Sequence, residues 1–110
     1  MQIQVNTDRN IDGHETLTTH VSTVVVSALS RFSDRITRVE VHLSDENSDQ
    51  KHGGDDKRCM IEARLEGRQP IAATHVATTV DFAVDGAAAK LCRLIESSVG
   101  RLREHRTAQD

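Results

Sequence analysis

The chain has 110 residues, a formal net charge of −3, 36% hydrophobic residues and only two aromatic ones, Phe32 and Phe82. That length suits one domain and excludes a second core, so the core has to be built from Val, Leu, Ile and Ala. No apolar run is long enough to cross a bilayer, and residues 2–6 alternate in polarity where a signal peptide would have an apolar stretch; a cytoplasmic protein with no membrane partner is expected.

Residues 2–6 place Ile3 and Val5 on one side and read as a short strand. Residues 7–13 are polar and turn-rich. A helix is predicted over 14–32, because Leu17, Val21, Val24, Val25, Ala28, Leu29 and Phe32 recur at three- and four-residue spacing. Three consecutive valines are poor helix formers, but the periodicity outweighs them. After a turn at 33–35, residues 36–44 alternate, with Val39, Val41 and Leu43 opposite Arg38, Glu40 and His42. Residues 45–56 form an acidic loop with Gly53-Gly54 as its flexible point, expected to be mobile and free of metal. A strand over 57–66 turns Cys59, Ile61, Ala63 and Leu65 inward. Pro70 can only open a strand or lie at its edge, and 71–77 is a weaker strand whose buried face is ambiguous.

The last helix is predicted to start at Thr78, three residues before Asp81 as in a capping box, and to run to about residue 104. Its apolar stripe is Val80, Val84, Ala87, Leu91, Leu94, Ile95, Val99 and Leu102. Residues 1–104 thus form one domain and 105–110 a polar tail. The order β-α-β-β-β-α is an α+β fold. The three later strands pair antiparallel, the first enters through a helical crossover and pairs parallel, and both helices pack on one face of a four-stranded, mostly antiparallel sheet.

Little in the chain points to chemistry. The six histidines, His14, His20, His42, His52, His75 and His105, lie in different elements without ligand spacing, so neither metal nor cofactor is expected. Asp45, Asn47, Asp49 and Asp56 resemble a calcium loop in spacing, but Gln50 stands where that loop needs glycine and Asp56 where it needs a glutamate. Cys59 and Cys92 read as reduced thiols, and no nucleophile or phosphate-loop motif is present; the chain is not expected to be an enzyme.

Charge is distributed unevenly. Between Asp45 and Asp56 five acids face only Lys51, a local charge of −4, which leaves the rest of the chain at +1. Between Gly86 and Arg103, Lys90, Arg93, Arg101 and Arg103 face only Glu96, a local +3. Lys90, Arg93, Ser97 and Arg101 follow one stripe of the last helix. On most helices such a stripe is a solvated face; here it is also a candidate ridge for nucleic-acid phosphates.

Several strings resemble the hibernation-promoting factor and ribosome-associated inhibitor family, also called the sigma-54 modulation family, in its short form. They are Phe32-Ser33-Asp34-Arg35-Ile36-Thr37-Arg38-Val39-Glu40-Val41, Glu62-Ala63-Arg64-Leu65, Asp81-Phe82-Ala83-Val84-Asp85 and Lys90-Leu91-Cys92-Arg93. The resemblance implies the same β-α-β-β-β-α domain, lodged between head and body of the small ribosomal subunit in the mRNA and tRNA path, and silencing translation in stress or stationary phase. It implies rRNA as partner, with no DNA, and contacts from basic side chains on the helices. Carried over by position these are Lys90, Arg93 and Arg101, extended by Arg103 and Arg106, with Arg31 on the first helix. That helix is otherwise base-poor, which keeps a second reading open: a non-catalytic module of the same fold that has lost ribosome binding and meets a protein partner through its exposed sheet face or its acidic loop.

Overall fold

The computed structural model describes residues 1–8, 11, 14–45 and 57–109, the side chains of 14 and 101–109 excepted. Strands β1 (Gln2–Thr7), β2 (Ile36–Asp45), β3 (Lys57–Leu65) and β4 (Ile71–Ala77) form one sheet in the order β1-β2-β3-β4. The β1–β2 pair is parallel and the other two antiparallel. Helix α1 (His14–Leu29) continues into a 3-10 turn, Ser30–Phe32, and α2 spans Val80–Gln109. The expected α+β order, pairing and layering are all present.

Alternation explains the inner face of the sheet. In register, Val39 lies opposite Ala63, Val41 opposite Ile61 and Leu43 opposite Cys59, and all six are buried. Ile36 is buried too, although it lies an odd number of residues from Val39. A register shift between Ile36 and Arg38 absorbs the mismatch, and the Thr37 hydroxyl donates to the Arg64 carbonyl at 3.1 Å beside it. The ambiguity in β4 resolves in favour of its odd positions: Ala73 and Ala77 are buried, with His75 half-buried between them.

Both helices press one apolar stripe onto this face. Val21, Val25 and Leu29 of α1 are fully buried, as are Ala83, Ala87, Leu91 and Ile95 of α2, so the three-valine run is helical because its middle member is core. Four details differ from expectation. The α2 cap is Thr79, one residue beyond Thr78: its hydroxyl accepts the Phe82 N–H at 3.1 Å and its carbonyl the Ala83 N–H at 3.0 Å. The helix continues past residue 104 to Gln109. Leu94 is 44% exposed because it overhangs the outer edge of β4 beside Pro70 and Ile71. Ile11, in a segment read as polar, is buried. The expectations for the acidic loop, including its mobility and the rejected calcium site, lie outside the described residues from 46 onward.

Gly86 marks a close approach of α2 to the sheet, since a Cβ there would overlap the His75 ring. Gly86→Ala should therefore destabilise the protein by about 1–3 kcal/mol, although alanine is the better helix former by about 1 kcal/mol. Adding His75→Ala should recover most of the loss; chemical denaturation of the single and double variants measures both.

Burial pushes the Cys59 thiol from 9.0 up to about 12. The folded protein thus holds a proton that the unfolded chain releases near 9. The resulting stability is complete below pH 9 and is lost as pH rises towards 12, by at most about 1.4 kcal/mol per pH unit. In Cys59→Ala, denaturation midpoints between pH 9 and 11 should fall less steeply than in wild type.

Candidate nucleic-acid interface

Helix α2 has a buried face and two flanks, and its roll about its axis decides what each base can reach. One flank meets α1: the half-buried Cys92 thiol donates to the Ala28 carbonyl at 3.3 Å, and Glu96 meets Arg31. The other flank overhangs β4 through Gly86, Lys90 and Leu94. Arg93 lies on the crest between the flanks. It is exposed and has no ion-pair partner among the described residues.

The other sequence candidates are differently placed. The stem of Lys90 is half-buried, and its ammonium donates to the Thr74 carbonyl at 3.1 Å. Lys90 therefore leans off the outward stripe toward the sheet edge. Arg31 follows α1 in the 3-10 turn; its guanidinium lies 4.7 Å from the centroid of the Phe32 ring and forms an ion pair with Glu96. Lys90 and Arg31 are thus on opposite flanks of α2. Arg101 and Arg103 continue the helix backbone, and their side chains lie outside the described residues.

Two bases were missed in the sequence. Arg35, in the turn before β2, lines a cleft with Arg31, Phe32, Glu96, Val99 and Gly100. Arg68, in the β3–β4 connection, donates to the Ser98 hydroxyl. The end of α1, the start of β2 and the β3–β4 turn all reach the same end of the molecule as residues 96–100 of α2. The opposite end is acidic: Asp81 and Asp85 line a cleft with His20, which pairs with Asp81 at 3.2 Å, and Asp45 pairs with Lys57 at 3.3 Å.

The open sheet face carries charge of both signs. Arg38 donates to Gln4 at 2.6 Å and pairs with Glu40 at 2.9 Å, His42 lies 3.7 Å from Glu40, and Arg64 lies 3.7 Å from Glu62. Burial raises the Cys92 thiol as well, with the Arg31 charge opposing it, so neither cysteine is an activated nucleophile. Among the described residues no cluster of His, Cys, Asp or Glu could hold a metal ion, and no helix is long and apolar enough to cross a membrane.

A family model described as Sigma 54 modulation protein / S30EA ribosomal protein matches residues 4–103. Among solved structures, the N-terminal domain of Protein Y from Thermus thermophilus superposes with a TM-score of 0.65 at 20% identity, covering 93% of this chain and 99% of that one. A ribosomal subunit interface protein from Coxiella burnetii gives 0.61 at 18% identity, covering 94% and 99%. At these identities the two structures establish the shared fold. No curated protein matches the sequence.

The side chains of Arg31 and Glu96 are 59% and 48% exposed, so their pair should be weak. A double-mutant cycle of Arg31→Ala and Glu96→Ala should return a coupling of about 0.2–1 kcal/mol, shrinking in high salt.

Proposed function

The chain belongs to the sigma 54 modulation protein / S30EA ribosomal protein family, and from that premise we propose that it is a ribosome-associated, hibernation-type inhibitor of translation. In this reading it binds small-subunit rRNA in the mRNA–tRNA path during stress or stationary phase. The family match over residues 4–103 carries the proposal, and the basic end of the structure supports it.

Arg93 is the leading contact, because it is exposed and has no ion-pair partner among the described residues. Arg101 and Arg103 follow on the same helix backbone and are the next candidates. Arg31 and Lys90 join it by exchanging partners. Arg31 leaves Glu96 at the small cost of a surface ion pair, and Lys90 leaves the Thr74 carbonyl. Each base meeting a phosphate releases a condensed counterion, so binding should weaken steeply with salt. The acidic residues at the far end favour approach with the basic end leading.

The test is a salt titration of binding to purified small subunits, comparing wild type with an Arg93→Ala, Arg101→Ala, Arg103→Ala variant. Losing three phosphate contacts should flatten the slope of log affinity against log salt by roughly 2–3. Coincident titrations, with wild type binding well, would remove α2 as the RNA surface. Failure of wild type to bind at low salt would remove the ribosome and favour a protein partner on the open sheet face, where Arg38 and Arg64 are already tied to Glu40 and Glu62.

A further inference from the structure

Among the described residues, strand β4 is the last strand of the sheet, and no strand pairs with the backbone groups on its outer side. Its sequence, Ile71-Ala72-Ala73-Thr74-His75-Val76-Ala77, contains no Asp, Glu, Lys or Arg to discourage another chain from adding there. The edge meets instead the Lys90 ammonium, from elsewhere in the fold, on the carbonyl of Thr74, while Arg68 lies beside Ile71 and Leu94 at the start of the strand. Thr74 is the central residue of the seven-residue strand.

We propose that the outer edge of β4 is a self-pairing interface for a second copy of this chain and that Lys90 holds it closed. Because the Thr74 carbonyl points outward to Lys90, the outward-facing backbone groups of β4 are those of Ala72, Thr74 and Val76. Antiparallel pairing of two β4 strands about a two-fold axis through Thr74 aligns these groups with their own copies: Ala72 opposite Val76, and Thr74 opposite Thr74. The Thr74 carbonyl of one copy would accept the Thr74 N–H of the other. That is the acceptor Lys90 occupies, and the same symmetry would bring two Lys90 ammonium groups together at the axis. The ammonium thus competes for the central hydrogen bond and repels its own copy.

The surroundings fit a second copy. Val76 on the open face is 38% exposed and Leu94 above the edge 44% exposed, so apolar surface flanks the strand on both sides. These side chains are aliphatic, and a copy of the same edge matches them, so the charge that opposes pairing at the axis is that of Lys90. Pro70, at the entrance to the strand, limits the pairing to β4 itself.

Sedimentation equilibrium of the full chain over a concentration series tests the proposal. Wild type should be monomeric. Lys90→Met keeps the aliphatic stem and helix propensity while removing the charge, and its apparent dimer dissociation constant should fall by about tenfold or more. Lys90→Arg, which retains the charge, should remain monomeric. Adding Thr74→Lys to Lys90→Met places like charges opposite each other on the axis and should restore the monomer. If Lys90→Met loses its circular dichroism spectrum, Lys90→Gln carries the same comparison. A folded, uncharged variant that sediments like wild type overturns the proposal, as does a dimer that persists in the Thr74→Lys double variant.

Discussion

The close approach of α2 to β3 and β4 is the constraint on which the rest of the molecule depends. With Phe82 exposed, Phe32 is the only aromatic residue in the core, and volume that other proteins fill with rings is removed by bringing layers together. Ala83, Ala87 and Ala88 face a sheet surface that includes Ala73 and Ala77, and at Gly86 the helix comes so near that the His75 ring occupies the place of a side chain. Packing of this kind leaves few ways for a helix to roll, because every rotation drives a larger residue into the sheet.

A fixed roll turns sequence positions into distinct environments. Lys90 and Arg93 are three residues apart and look like neighbours on one stripe. The roll sends Lys90 down to the sheet edge, where it is half-buried on a carbonyl, and leaves Arg93 on the crest in solvent. It also turns Glu96 toward α1, where it meets the guanidinium of Arg31. Formal charge is the same for all three bases, but their availability is not. A base that has a carbonyl or carboxylate partner must exchange it to bind an external anion, and a base in open solvent has only water to shed.

The fold was legible where an element buries one regular face. Alternation in β2 and β3 and the three- and four-residue spacing in α1 identified Val39, Val41, Leu43, Cys59, Ile61, Val21, Val25 and Leu29 as core, and all are buried. What was not legible depended on contacts between distant residues. β4 has alanine on both faces, so its own pattern could not say which side α2 would cover. Leu94 keeps the helical spacing, yet the sheet ends beneath it. Ile36 breaks alternation, and the irregularity beside Thr37 restores it. Residue types at the candidate interface could be read in advance, but their partners could not. Arg35 and Arg68 lie in turns with no local pattern, and only the strand order gathers them with Arg31 at one end.

That gathering also bears on how a chain with net charge −3 can present itself to a polyanion. At physiological ionic strength, exposed charges are largely screened beyond about 8 Å. Asp85 and Asp81 lie two to three turns before Arg93 on α2, roughly 12–18 Å along its axis, so their charge is much weakened at a phosphate beside Arg93. Summed charge still governs solubility and the orientation of approach, because those depend on the whole field. Contact is decided locally, by how many guanidinium and ammonium groups stand near one another and how many are already satisfied. On that count Glu96, Asp34 and Glu66 weigh more than the distant acids, because they lie within the basic end: Glu96 engages Arg31, Asp34 shares the turn of Arg35, and the Glu66 N–H donates to the Arg35 carbonyl. The acidic balance of the chain is therefore compatible with an anionic partner.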